Sequence, residues 1–302
     1  MGNLLSSWSS SSKNHRDEKT PKLKSVDDDD DIRTYRTIIA GVKVTISKPS
    51  RASDIRGITF LLPGSMIAET EYDEICRRVL VVEQRQVVIS MFMNVLLYSH
   101  ERLAERVKNV FDHFQLPNSV IAGEDRGDSL PESNASSKYL HYNIVGHSVG
   151  AKVGLLLACQ VDPARVKTVV ALDPVDILPV QFTNDDFPNL DFASHCTNAT
   201  IYLTFADSTS PKSIPPRHNA AQIYRYNQKW MDQQQQHSLS PNTNSFPFYI
   251  VHSHASHLMA YTDHGGGFPS KYLIRRTTND TPQGNAAARH NVQALLKQAI
   301  VQ

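Results

Sequence analysis

The chain has 302 residues, 40% of them hydrophobic, and a formal net charge of +1, enough apolar material for one substantial core. Balanced charge, with no Lys/Arg stripe and no interleaved aromatic platform, excludes the nucleic-acid-binding class. No apolar run reaches the roughly 18 residues that span a bilayer, and the start lacks the apolar stretch of a secretory signal, so a cytoplasmic location is expected.

Residues 1–35 combine a serine cluster, mixed charges and the run Asp27 to Asp31, and read as a disordered tail ahead of one domain over 36–302. The tail opens Met1-Gly2-Asn3-Leu4-Leu5-Ser6, which fits the N-myristoylation pattern at Gly2 and competes with an unmodified start. A single acyl chain gives only weak, reversible attachment, so a peripheral membrane location through Gly2 stands as the alternative, with a plastid location also open.

From Ile38 onward strand-like and helix-like segments alternate as in a mostly parallel sheet with helices on both faces, an α/β class. The expected strands are Val42 to Ser47, Gly57 to Leu62, Val87 to Phe92, Lys167 to Leu172, Thr200 to Ala206 and Phe248 to Val251. The expected helices are Glu71 to Val82, Tyr98 to Phe114 and Ala286 to Val301. In the second helix Leu103, Val107, Val110, Phe111 and Phe114 share one face. Gln115 to Ser137 reads as a polar loop, and Asp207 to Phe248 as a long polar insertion that flanks or covers the site. Cys76, Cys159 and Cys196 are odd in number and far apart, and read as reduced packing residues.

The most informative stretch lies between these elements. Leu140, Tyr142, Ile144 and Val145 form a buried strand pattern, Gly146-His147-Ser148-Val149-Gly150 matches G-x-S-x-G, and Ala151 to Gln160 is a helix former. A serine on such a strand-to-helix elbow sits on strained backbone, and the flanking glycines let strand and helix approach closely. Ser148 then stands at a helix N-terminus, whose unpaired N–H groups suit a developing oxyanion.

A neutral serine needs a base in reach, and the base needs a carboxylate to orient it. In an α/β-hydrolase these follow the serine in the order acid, then histidine, at the ends of later strands. Asp173 and Asp207 both meet the condition for the acid, with Asp173 preferred because Pro174 ends its strand, and Asp176 a third choice. Among His252, His254, His257 and His264, His257 lies in the turn after the last strand, where a base can reach the serine. The oxyanion donors are expected to be the backbone N–H groups of Val149 and of Ser65, in the turn Pro63-Gly64-Ser65-Met66, with Met66 next.

With these pieces together the chain resembles the chlorophyllase family of α/β-hydrolases over roughly Ile58 to His264. Leu61-Leu62-Pro63-Gly64 matches the family's oxyanion turn, Gly146 to Lys152 its G-H-S-R-G-G-K, Val170 to Asp176 its V-D-P-V-D, and Ala255 to Met259 its Y-G-H-[ML]-D. The resemblance implies Ser148, Asp173 and His257 as nucleophile, acid and base, no cofactor, and chlorophyll's phytyl ester as substrate. Val149, Ala151, Pro63 and Met259 depart from the family pattern, and the Pro63-Gly64 turn with Asp207 is similar to cutinase-like polyester hydrolases.

The expected function is a serine carboxylic-ester hydrolase that acts on a lipophilic small-molecule ester through an acyl-enzyme. One alternative is a zinc metallohydrolase using His252, His254 and His257, which fit H-x-H-x-x-H with Asp263 and His264 nearby. Another is an inactive hydrolase fold serving as a lipid-binding or scaffold protein.

Overall fold

The computed structural model describes residues 24–29, 31–51, 55–93, 98–114, 141–175, 198–206, 248–265 and 280–300. Gly2, the loop 115–137, the segment 207–247 with Asp207, and Asp176 lie outside the described residues.

Among the described residues nine strands form one sheet: β1 Lys24–Asp29, β2 Ile32–Ile39, β3 Val42–Pro49, β4 Gly57–Leu62, β5 Gln86–Met91, β6 Tyr142–His147, β7 Val166–Leu172, β8 Thr200–Ala206 and β9 Phe248–His252. Their spatial order is β1-β2-β3-β5-β4-β6-β7-β8-β9. The first three strands form an antiparallel meander that joins β5 antiparallel, and every pair from β5 to β9 is parallel. After β4 the chain moves outward to β5, then returns to the other side of β4 as β6. The strand order therefore reverses between β4 and β6, and the crevice at their carboxyl ends is where such sheets place a ligand.

Part of the segment read as a tail belongs to this sheet. β1 and β2 occupy residues 24–29 and 32–39, so the boundary expected at 35/36 cuts through β2. β2 buries little beyond its end residues Ile32 and Ile39, which hides it from a search for apolar periodicity. Its order comes from an unbroken ladder with β3, from Ile32 opposite Pro49 to Ile39 opposite Val42. The tight turn between them uses positive φ at Ala40 (48°) and Gly41 (74°), the backbone that matches hairpin twist.

Alternation along the central strands divides the core in two. Phe60, Ile144, Val169 and Leu203 face one side, where they pack with helix α1 His100–Phe114 and helix α2 Val149–Leu156. Phe60 meets Tyr142 edge-on at 5.3 Å, and the Phe111 ring of α1 lies 4.3 Å from Tyr142. Each fully buried side chain of this kind contributes roughly 1.5–3 kcal/mol relative to exposure. Leu61, Val145, Val170 and Leu172 face the other side, with residues of the segment 69–83 and of helix α3 Pro282–Ala299.

The apolar face expected for α1 is the buried one. The helix expected at 71–82 is irregular: a 3-10 turn Glu69–Tyr72 followed by two wide π-type turns, Asp73–Arg77 and Val79–Glu83. The reading of the cysteines needs correction, since Cys76 is a buried free thiol but Cys159 is disulfide-bonded. Spacing along the chain carries no information about which thiols meet in space. Among the described residues no helix is long and apolar enough to cross a membrane.

Candidate active site

β6 delivers Ser148 to the reversal point of the sheet. Ser148 adopts φ 55° and ψ −120°, a conformation that costs a non-glycine residue energy and persists only where its surroundings impose it. They do so through three backbone bonds: Ser148 N–H donates to the Leu172 carbonyl at 2.9 Å, and the Ser148 carbonyl accepts from Lys152 N–H at 3.2 Å and Val175 N–H at 3.3 Å. The two glycines are sterically required. A Cβ on Gly146 would stand 2.5 Å from the Gly150 carbonyl oxygen, and one on Gly150 only 2.1 Å from the Leu62 carbonyl oxygen.

Val149 opens α2, so its N–H is one of those that a helix leaves without an internal partner. The turn after β4 lies directly against Ser148, since a Cβ on Gly64 would come within 3.2 Å of Ser148 Cβ. Ser65 follows in this turn, half-buried, and Met66 takes φ 60°. The two expected oxyanion donors thus belong to elements that meet at the serine.

Asp173 leaves β7 at φ 44°, wholly buried, with its N–H donated to the Thr204 carbonyl at 3.1 Å and to Thr204 Oγ1 at 3.2 Å. Its Oδ2 lies 2.8 Å from His257 Nδ1. A carboxylate only accepts, so Nδ1 carries the hydrogen and Nε2 presents its lone pair. Among the described residues that Nε2 is buried and has no hydrogen-bond partner, Ser148 included. The His257 ring packs 4.7 Å from the ring of His147, the residue that leads into Ser148. Catalytic hydrogen bonds of hydrolases often close only around substrate, so an open base-to-serine contact is compatible with the arrangement.

The loop carrying His257 is held from two sides by residues with no sequence signature. From α3, Asn285 Oδ1 accepts the Ser256 N–H at 2.8 Å, and Arg289 donates to the Met259 carbonyl at 3.0 Å. From the helical segment 69–83, the N–H groups of Glu74 and Ile75 donate to the Asp263 carboxylate at 2.9 and 3.0 Å, and Glu71 Oε2 accepts the His264 N–H at 3.0 Å. The signal available beforehand was only that carboxylates favour helix N-termini.

The other histidines do not converge. His252 ends β9, buried, with Nδ1 3.0 Å from the Tyr261 hydroxyl, and burial lowers its pKa against the opposing pull of Asp173. His254 is exposed at φ 53° while its carbonyl accepts the Thr281 N–H, and His264 is exposed. Among the described residues no three His, Cys, Asp or Glu side chains are grouped so as to hold a metal ion. His252, His254 and His257 therefore do not come together as the ligand set that the zinc reading requires.

No protein-family model matches the chain, and no curated protein sequence matches it. Solved structures do. Dienelactone hydrolase from Anabaena variabilis ATCC 29413 superposes with a TM-score of 0.50 at 13% identity, covering 93% of this chain and 99% of that one. The predicted CIB-like hydrolase from Thermoplasma acidophilum gives 0.50 at 11% identity, covering 88% and 98%. DphMB1 gives 0.50 at 13% identity, covering 91% and 88%. The fold is that of the α/β-hydrolases.

Proposed function

We propose that the protein is a serine hydrolase that cleaves a carboxylic ester through an acyl-enzyme. The observation that supports this most directly is the buried 2.8 Å pair of Asp173 and His257, placed beside a serine held on strained elbow backbone. In the proposed reaction His257 Nε2 takes the Ser148 hydroxyl proton as the oxygen attacks the ester carbonyl. Asp173 stabilises the imidazolium, and the N–H groups of Val149 and Ser65 hold the oxyanion. His257 then passes the proton to the leaving alcohol, and water repeats the sequence to release the acid. The similarity of the fold to a dienelactone hydrolase agrees with hydrolytic chemistry at this site.

For the substrate we infer a lipophilic small-molecule ester. The sequence resemblance to chlorophyllases makes a phytyl ester the first compound to try, with cutinase-type polyesters the second. Ser148→Ala tests the reading: the variant should lose hydrolysis of p-nitrophenyl esters and covalent labelling by a fluorophosphonate probe. Wild-type turnover by Ser148→Ala would overturn it.

A further inference from the structure

His147, the residue before the nucleophile, is buried and bonded at both ring nitrogens. Its Nε2 lies 2.9 Å from the backbone carbonyl oxygen of His257, and its Nδ1 lies 2.8 Å from the Tyr72 hydroxyl. The direction of every bond follows from these partners. A carbonyl can only accept, so Nε2 carries the hydrogen, and neutral Nδ1 must then accept from the Tyr72 hydroxyl. The Tyr72 oxygen in turn accepts the Gly64 N–H at 3.0 Å. One chain therefore runs from Gly64 N–H to Tyr72 O–H to His147 Nδ1, and from His147 Nε2–H to the His257 carbonyl.

We propose that Tyr72 and His147 are positioning residues that fix the oxyanion turn and the base loop on the elbow through this single hydrogen-bond chain. The chain ties together three pieces that come from β4, β6 and the loop after β9. It also decides which turn amide is available to an oxyanion. Gly64 N–H is consumed by Tyr72, and holding that peptide in place orients the Ser65 N–H that follows it. Neutrality of His147 is essential, because a protonated Nδ1 could not accept from Tyr72. Burial, together with the neighbouring His257, keeps its pKa well below the ordinary histidine value.

The role rests on the serine-hydrolase reading, and the test separates the two. Tyr72→Phe, His147→Leu and His147→Gln are compared with wild type after active-site titration with a fluorophosphonate. Tyr72→Phe and His147→Leu should lower kcat per titrated site by on the order of 10²-fold, the scale of a small misplacement of reacting groups, with KM nearly unchanged. His147→Gln keeps a donor near Nε2 and should recover part of the loss. The double variant Tyr72→Phe/His147→Leu should be little worse than the worse single, since both break one chain. A purely structural role would lower thermal stability while kcat per titrated site stayed within about twofold of wild type, and that result overturns the proposal. In parallel, 15N spectra of the histidines should show His147 as the Nε2–H tautomer, unprotonated between about pH 5 and 8, which is outside ordinary histidine behaviour. If wild-type protein takes no label, the hydrolase reading fails, and these spectra still report on the chain. A titrating or Nδ1–H His147 overturns the chain whatever the activity.

Discussion

The His257 imidazole and the Asp173 carboxylate meet at 2.8 Å across 84 residues of sequence, both out of contact with solvent. Burying this pair is costly unless the geometry is good, because both groups lose hydration. Here the sheet meets that condition: β7 ends at Leu172, immediately before Asp173, and α3 and the segment 69–83 hold the His257 loop in place. The hydrogen bond also sets the tautomer. Asp173→Asn should keep the fold but favour the opposite tautomer, with kcat on p-nitrophenyl esters falling by roughly 10⁴-fold and circular dichroism unchanged. A loss below about tenfold would mean that another carboxylate orients the base.

The two glycines nearest the serine should respond differently to alanine. In Gly150→Ala the new methyl meets the Leu62 backbone oxygen at 2.1 Å, which moves only with β4 itself. A loss of 1–3 kcal/mol or more is expected in denaturant titrations. In Gly64→Ala the nearest atom, at 2.6 Å, is Ile67 Cδ1, the end of a flexible side chain, with Ser148 Cβ next at 3.2 Å. Stability should fall by only about 1 kcal/mol, while ester turnover falls more steeply because the methyl crowds Ser148.

Acid should destabilise the fold through histidines buried in neutral form. Burial, with the nearby Lys152, brings the His100 pKa from 6.5 down to about 4. The unfolded chain therefore takes up a proton before the folded one. The stabilising contribution is complete above pH 6.5 and is lost as pH falls through about 4. A shift of this size corresponds to at most about 3 to 4 kcal/mol. His100→Leu should show a shallower fall of melting temperature over this range. The decline should persist in part, because His147 and His252 are shifted in the same direction. An unchanged slope would mean that His100 does not titrate as its surroundings dictate.

Asp263→Ala should loosen the base loop. Its carboxylate accepts the N–H groups of Glu74 and Ile75, so its removal exposes two amides at a helix start. About 1–2 kcal/mol of stability should be lost in thermal or denaturant unfolding, with turnover reduced at unchanged fluorophosphonate stoichiometry.

The fold was legible where the signals are local. Apolar runs marked the strands from β3 onward, and glycine spacing marked the elbow, because close backbone approach admits no side chain at Gly146 and Gly150. β1 and β2 were not legible, since ladder pairing, and not apolar burial, orders them. Sequence preferred Asp173 to Asp207 because Pro174 ends its strand, but the 2.8 Å bond from Asp173 to His257 depends on where the His257 loop lies, and Asp207 is outside the described residues. The same limit hides Tyr72, His147, Asn285 and Arg289. Their roles come from contacts between distant segments, and no spacing rule anticipates those.

The bonds from Asn285 and Arg289 to the His257 loop have a consequence for biosynthesis. Both anchors are translated after the histidine that they restrain, so a nascent chain that has emerged only as far as its base still lacks the brace for it. Reactivity toward a phosphonate probe should therefore arise only once α3 has docked, after His257 itself has been made.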